Sequence, residues 1–529
     1  MLGPEDLADA VGDALRRAGL PEREPQLERP RQRAHGDYST NIALTLAKQV
    51  GRPPREVAQM IVAELGDIDG VAAVDVAGPG FINFHLAHGA LQDVVRQIVA
   101  EGPNWGRSNR MAGARANIEF VSANPTGPLH VGHGRQAALG DAVANLLEAV
   151  GWKVVREYYF NDAGRQMRLF GESVAAVARG DEPPEDGYRG AYVAVVAREV
   201  EEAGELDQVS DAAYRRMLAH ITGTLDAMGV QFDVYFGERT LHPEGINAAL
   251  AALSEHIYRA DGATWLRTTK FGDDKDRVLI RADGEPTYFA ADCAYMENKF
   301  ARGFDRLIYV LGSDHHGYVE RLMAVADALG YGRDRIEVVM HQFVNLFRGD
   351  EVVRMSKRTG EMVTFDDLLD EVGSDAARYT FLRYSSDVPI DFDLEAVVQA
   401  DRNNPVYYVQ YSHARIAGIM RTARESGLQP APPDVVDLGL LRTDVEQELI
   451  RVLSTFPEVV AQAADERAPQ RVARYIERVA EAFHRFYTEC QVVGPDQALS
   501  SARYWLVEAT RLTVVNGLGL LGVSAPERM

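Results

Sequence analysis

Two short segments carry side chains of the kind that handle phosphate: His130-Val131-Gly132-His133 and Arg354-Met355-Ser356-Lys357-Arg358. Before the first lies an apolar stretch, Asn117-Ile118-Glu119-Phe120-Val121, that reads as a buried strand. After it, Leu139, Val143, Leu146, Leu147 and Val150 recur at helical spacing. The two histidines therefore ride a strand-to-helix turn and project the same way from the first turn of a helix. Free N–H groups and the helix dipole already favour an anion there. Gly132 between them lets a flat ring or a phosphate approach the backbone. The second segment sits in a loop after another strand-like run, Ile336 to Met340, and Lys357 is a mobile cation suited to a polyphosphate. Fifty arginines and only six lysines make arginine the default basic residue, so a lysine here is not filler. The competing reading of His130 and His133 is two polar residues beside a helix cap.

Those side chains need elements to hold them. At 529 residues the chain exceeds one core and points to about three domains. With 46% hydrophobic and 25% charged residues it has an ordinary globular composition. No apolar run approaches a membrane span, and the start of the chain lacks a basic region followed by an apolar stretch. The cytoplasm is the expected compartment. Cys293 and Cys490, far apart, fit neither a disulfide framework nor a protein-bound zinc. A net charge of −22 argues against indiscriminate nucleic-acid binding. It is uneven: residues 400–529 hold fourteen arginines, no lysine and sixteen acidic residues.

Residues 1–105 read as a small α+β unit: a helix over Glu5 to Ala18, a basic loop Arg29 to Arg33, two further helices, and a strand pair turning at Gly78-Pro79-Gly80. Residues 106–374 read as two αβ halves around a mostly helical insertion at about 170–260. A second buried strand is expected at Leu307 to Leu311. This alternation predicts an α/β fold, a doubly wound Rossmann-type parallel sheet, with both phosphate segments at the carboxyl ends of strands. From Asp375 to Met529 the pattern is helical, an all-helical bundle interrupted by the Pro-rich link Gln429 to Pro433. That tail is expected to be removable without unfolding the rest.

The two segments, in this order and context, resemble the signature pair of a class I aminoacyl-tRNA synthetase. Further stretches are similar to the arginyl-tRNA synthetase family across nearly the whole chain: Gly36-Asp37-Tyr38-Ser39-Thr40-Asn41, Glu119 to Asn124, Asn161-Asp162-Ala163-Gly164-Arg165-Gln166, Asp375-Ala376-Ala377-Arg378, Tyr408 to Arg415, and the ending Ser524 to Met529. The resemblance implies ATP-dependent activation of L-arginine and its transfer to the 3′ end of tRNA(Arg). ATP would arrive as its Mg²⁺ complex, with tRNA(Arg), L-arginine and ATP as partners, no membrane, and a monomer the expected state. It also implies that 1–105 contacts tRNA and that 375–529 binds the anticodon. The alternatives are another class I synthetase, such as the cysteinyl enzyme, or a non-catalytic tRNA-binding paralogue. Cysteine selection needs a zinc–thiolate site that two isolated cysteines cannot build.

The resemblance assigns roles residue by residue. His130, Gly132, His133, Met355, Ser356 and Lys357 would bind ATP, with His130, His133 and Lys357 catalytic. Ser122, Asn124 and His133 would hold the α-amino end of arginine. Tyr288 and Asp292, four residues apart, would meet the guanidinium, which wants a planar carboxylate and further acceptors. The other reading of that pair is a capping Asp beside a core Tyr. Glu119 is either a second pocket carboxylate or a salt-bridged strand residue. His315, or else His316, stands where many family members have a substrate-contacting glutamine. Arg354 and Arg358 also depart from the common form of the lysine loop, and Gly127 precedes the Pro where relatives lacking that loop carry a lysine. Tyr407, Tyr408, Tyr411, Arg415 and Met529 are expected at the tRNA, where aromatic rings stack on bases.

Overall fold

The computed structural model describes residues 3–30, 35–162, 164–200, 206–353 and 363–529. At its centre is a parallel sheet of five strands in the spatial order Ile336–His341, Arg306–Gly312, Arg115–Glu119, Lys153–Phe160, Val234–Gly237. The chain starts in the middle strand and winds outward to Val234–Gly237. It then returns to lay Arg306–Gly312 against the other side of Arg115–Glu119, in register from Arg306 opposite Ala116 to Tyr309 opposite Glu119. The apolar runs that form these strands are sandwiched by helices on both faces, so they need no polar alternation.

The helix Val131–Ala149 follows the first strand and is buried on nearly every side. Two glycines let it seat so deeply. A Cβ on Gly140 would run into the Phe120 ring, and one on Gly134 into the Phe365 ring. The insertion forms the helices Arg165–Ala178, Ala191–Glu199 and Leu206–Ala227. A three-stranded antiparallel sheet, Ile257–Ala260, Ala263–Leu266 and Arg277–Ile280, then leads into the helix Tyr288–Ala301. Sequence periodicity does not disclose that sheet, because its strands are only four residues long.

The N-terminal unit places the helices Pro4–Arg17, Ile42–Val50 and Pro54–Leu65 on a four-stranded antiparallel sheet, closing a core around Leu7, Leu46, Ile61 and Phe84. Its Asp37 and Tyr38 reach Arg451 and Glu458 in the C-terminal helices.

Two expectations for the tail need correction. A strand, Ile390–Asp393, interrupts the helices and pairs in parallel with Val344–Arg348. Its alternation of apolar and acidic residues (Ile, Asp, Phe, Asp) is a period of two, overshadowed by the helical pattern on either side. The tail is also not separable. One continuous core runs from Ile118 and Val143 through Phe365 and Phe381 to Val409, Phe456, Tyr475 and Leu506, so removing residues 375–529 would strip half of it bare.

Candidate active site

The carboxyl ends of Arg115–Glu119 and Arg306–Gly312 lie side by side where the strand order reverses, the place where open parallel sheets leave a crevice. Beyond Glu119 the backbone turns sharply: Val121 and Ser122 take φ of 66° and 43°. This left-handed region is costly for any side chain and most of all for a β-branched one. Neighbours hold it there. The Ser122 N–H closes on the Phe120 carbonyl at 2.9 Å. The buried Tyr158 hydroxyl accepts from the Ala123 N–H at 3.2 Å and donates to its carbonyl at 2.7 Å. Ser122 Oγ donates to Glu119 Oε1 at 3.1 Å and accepts the Tyr159 N–H at 3.1 Å. Asn124 ties this turn to the next one: its Oδ1 accepts from the Asn161 N–H at 3.0 Å, and its Nδ2 donates to Gln166 Oε1 at 2.7 Å.

His130 is the N-cap of the helix Val131–Ala149. Its Nδ1 accepts the Gly132 N–H at 3.1 Å, while its own N–H reaches His133 Nδ1 at 3.3 Å. The two imidazoles stack at 3.7 Å, their planes 23° apart, at the positive end of the helix. A Cβ on Gly132 would press on the His130 ring. Met355, Ser356 and Lys357 lie outside the described residues, as do Arg354 and Arg358, but both ends of their loop are described. The loop leaves the strand Glu351–Val352 and ends at Thr364, which forms an antiparallel bridge with His130. The Phe365 N–H bonds the Leu129 carbonyl at 2.8 Å. The described residues that follow the loop are thus held against His130 and its neighbour.

Opposite stands the helix Tyr288–Ala301, capped by Thr287 Oγ1 on the Ala290 N–H at 3.3 Å. Tyr288, Asp292, Tyr295, Lys299 and Arg302 form a polar stripe along it, at spacings of three and four. Asp292 accepts a hydrogen bond from the Tyr318 hydroxyl and, among the described residues, has no cation within ion-pair distance. Burial pushes its carboxyl up to about 7; the Tyr318 hydrogen bond opposes this, and Glu238 and Glu119 add to it. Tyr288, one turn earlier, is 59% exposed and reaches toward Gly164 rather than into the core.

Glu119 is both pocket wall and ion-pair partner: its Oε2 meets Lys299 Nζ at 2.5 Å. His315 is more than half exposed at the rim after Arg306–Gly312, and its one described polar contact is Asp314 at 3.2 Å.

Three residues that sequence reasoning passed over also face this crevice. Tyr318 supplies the phenol to Asp292, across 26 positions of sequence that carry no periodic signal. Glu238 accepts from Tyr159 Oη at 2.5 Å and Asn161 Nδ2 at 2.9 Å. His341 ends its strand, buried and neutral, with burial lowering its pKa to about 4 and Nε2 unpartnered among the described residues. The stripe of Tyr295, Lys299 and Arg302 after Asp292 was the legible hint that this helix faces charge.

Far along the chain, Tyr407 and Tyr411 stack at 5.8 Å on the helix Pro405–Glu425, and Tyr408 packs on His484 at 4.9 Å. The Arg415 guanidinium lies 4.8 Å from the ring centres of both Tyr411 and Tyr487. The end of the chain folds back onto the same helix: Gln410 Nε2 donates to the Ser524 carbonyl at 3.0 Å, and His413 Nδ1 lies 2.9 Å from the Pro526 carbonyl. Met529 is left 54% exposed.

Comparison with known proteins agrees with this architecture. Residues 5–86 match the model of the arginyl-tRNA synthetase N-terminal domain, and residues 95–182 and 192–419 that of the class I (R) tRNA synthetase catalytic domain. Residues 409–529 match the DALR anticodon-binding domain. The arginine–tRNA ligase of Frankia alni is 49% identical, covering 99% of this chain and all of the relative. A Campylobacter jejuni arginyl-tRNA synthetase structure superposes with a TM-score of 0.77 at 33% identity, over 84% of this chain and 100% of that one. The Thermus thermophilus arginyl-tRNA synthetase shares the fold over the full length of both chains, with a TM-score of 0.81 at 23% identity. Identity of 49% from end to end goes beyond a shared fold: the chain belongs to the arginyl-tRNA synthetase family of class I synthetases.

Proposed function

We propose that this enzyme, an arginine–tRNA ligase, selects its amino acid through Asp292. The carrying observation is a buried carboxylate held by a phenol, with no cation at ion-pair distance among the described residues and Arg321 acting only from further away, facing a crevice lined by further acids. Leaving such a charge unpaired is costly, and a guanidinium removes the cost while offering planar donors. Tyr288 and Glu119 flank the same ligand, Ser122, Asn124 and His133 receive the α-amino end, and His315 stands at the rim.

The arginine carboxylate attacks the α-phosphorus of ATP, and pyrophosphate leaves. A hydroxyl of the terminal ribose of tRNA(Arg) then attacks the adenylate carbonyl, and AMP leaves. His130 and His133 stabilise the α-phosphate as charge builds on it, Gly132 gives it room, Lys357 neutralises the departing pyrophosphate, and Met355 and Ser356 contribute to binding ATP. This is catalysis by positioning and charge, with no covalent enzyme intermediate. Mg²⁺ enters with ATP as the substrate complex.

The division into 1–105 at the tRNA, 106–374 for catalysis and 375–529 at the anticodon belongs to the same reading, with Tyr408, Tyr411, Arg415 and Met529 at the tRNA. So do a monomeric state and a cytoplasmic location; no helix among the described residues is long and apolar enough to cross a membrane. The test is ATP–pyrophosphate exchange with each of the twenty amino acids, with and without tRNA. Exchange driven by arginine alone among them is expected, and exchange driven by another amino acid would overturn the assignment.

A further inference from the structure

Lys299 is one of six lysines in a chain that otherwise uses arginine, and its side chain is fully buried. Its Nζ lies 4.3 Å from the ring centres of both Tyr295 and Tyr309 and 2.5 Å from Glu119 Oε2. A buried ammonium is expensive, and two aromatic faces plus one carboxylate make a built seat for it. The neighbouring carboxylate, Glu157, is satisfied separately by both Arg302 nitrogens at 2.6 and 2.8 Å, by Tyr295 Oη at 2.6 Å and by Asn117 Nδ2 at 2.8 Å. Among the described residues the ion pair of Lys299 is with Glu119, while its charge also acts on Glu157 from further away.

Glu119 passes that constraint on. Its other oxygen takes the Ser122 hydroxyl at 3.1 Å, at the turn where Val121 and Ser122 hold left-handed backbone. A strained turn persists only where its surroundings over-determine it. We propose that Lys299 is a positioning residue: through Glu119 it holds Ser122 and the strained turn in the form that receives the α-amino end of the amino-acid substrate. This rests on the reading of the pocket given above. Lys299 also cancels the Glu119 charge beneath a site already crowded with Asp292 and Glu238, leaving the pocket acidic enough for a cation but not self-repelling.

The test is a double-variant cycle on the full-length enzyme, with Lys299→Met, Glu119→Gln and both together, reading KM for arginine, KM for ATP, kcat and melting temperature. Lys299→Met should raise KM for arginine at least tenfold with KM for ATP within twofold. The double variant, which buries no unpaired charge, should recover at least fivefold of that loss and keeps the test open if Lys299→Met does not fold. A loss spread equally over arginine, ATP and kcat, or strictly additive effects in the cycle, would overturn the proposal. Failure of the pocket reading itself is distinguishable, because Asp292→Asn would then leave KM for arginine unchanged.

Discussion

On the proposed reading, Asp292 is the residue on which specificity turns. Asp292→Asn keeps the shape but faces a guanidinium with a neutral amide. Removing one partner of a buried charged pair costs roughly 3–5 kcal/mol, so kcat/KM for arginine should fall by at least two to three decades. KM for ATP should stay within twofold and the melting temperature should not drop. A capping role would give the reverse: lower stability and an intact KM for arginine. The carboxyl sits up to about 7, against an ordinary 3.8, chiefly through burial. Arginine binding needs its ionised form, so KM for arginine should climb as pH falls below about 7, approaching tenfold per unit. The sign for stability is the opposite. With its folded pKa raised, the group favours the folded state at low pH, and that contribution is lost between about pH 4 and 7 as pH rises. Bound arginine removes the penalty, so it should raise the melting temperature more at pH 8 than at pH 6. On the proposed reading, Lys357 acts on the leaving group. Lys357→Ala should lower kcat by roughly 10²–10³, comparable to losing one oxyanion donor, and a variant within twofold of wild type would reduce its loop to a connector.

The helix Val131–Ala149 works because it can touch its neighbours closely at two glycines. Gly134 lies under the Phe365 ring, at the start of the helix Phe365–Val372 that closes the lysine loop. Gly134→Ala would wedge that helix away from His130. Overpacking of this kind costs roughly 1–3 kcal/mol of stability, and kcat should fall as the histidines lose their position. A melt combined with steady-state kinetics checks both halves. The same helix carries Asp141, which joins Arg156 at 3.1 Å and the fully buried Arg378. Arg378 also donates to the Leu521 carbonyl at 3.1 Å and the Met228 carbonyl at 3.1 Å. One guanidinium thus fastens the histidine helix, the insertion and the end of the chain. Arg378→Met should lower the melting temperature by several degrees, as expected when a buried charged hub is lost.

The molecule as a whole is acidic, at −22, yet it handles a polyanion. On the proposed reading, its tail meets tRNA through aromatic rings and individual arginines rather than through net positive charge, since residues 400–529 carry fourteen arginines against sixteen acidic residues. Tyr408→Ala and Tyr411→Ala should each weaken tRNA use by about 1–3 kcal/mol per lost base stack, seen as a lower kcat/KM for tRNA. KM for arginine and ATP at saturating tRNA should be unchanged. Wild-type kcat/KM for tRNA in both variants would move the anticodon contact elsewhere. Because the core is continuous from Ile118 to Leu506, these point variants are the right probe of the tail and truncation is not.

Local chemistry is legible in a linear chain. The His130–His133 spacing, the β-to-α switch around it and the apolar runs of the parallel strands depend on residues a few positions apart, so sequence periodicity discloses the doubly wound sheet and the strand-to-helix turn that carries the histidines. Asp292 is legible too, as a carboxylate at helical spacing from Tyr288. The phenol that holds it is not: Tyr318 arrives from a different element after a strand, and no pattern links the two positions. Likewise Glu119 reads as either pocket wall or ion-pair partner until folding brings Lys299, 180 residues on, against its second oxygen. The strand Ile390–Asp393 forms only because Val344–Arg348 offers it an edge, and the tail joins the main core only because its apolar helix faces meet those of the catalytic sheet. Spacing within an element is set by backbone geometry, whereas contact between elements is set by the burial of surfaces distant in sequence, and the pocket is made almost wholly of the second kind.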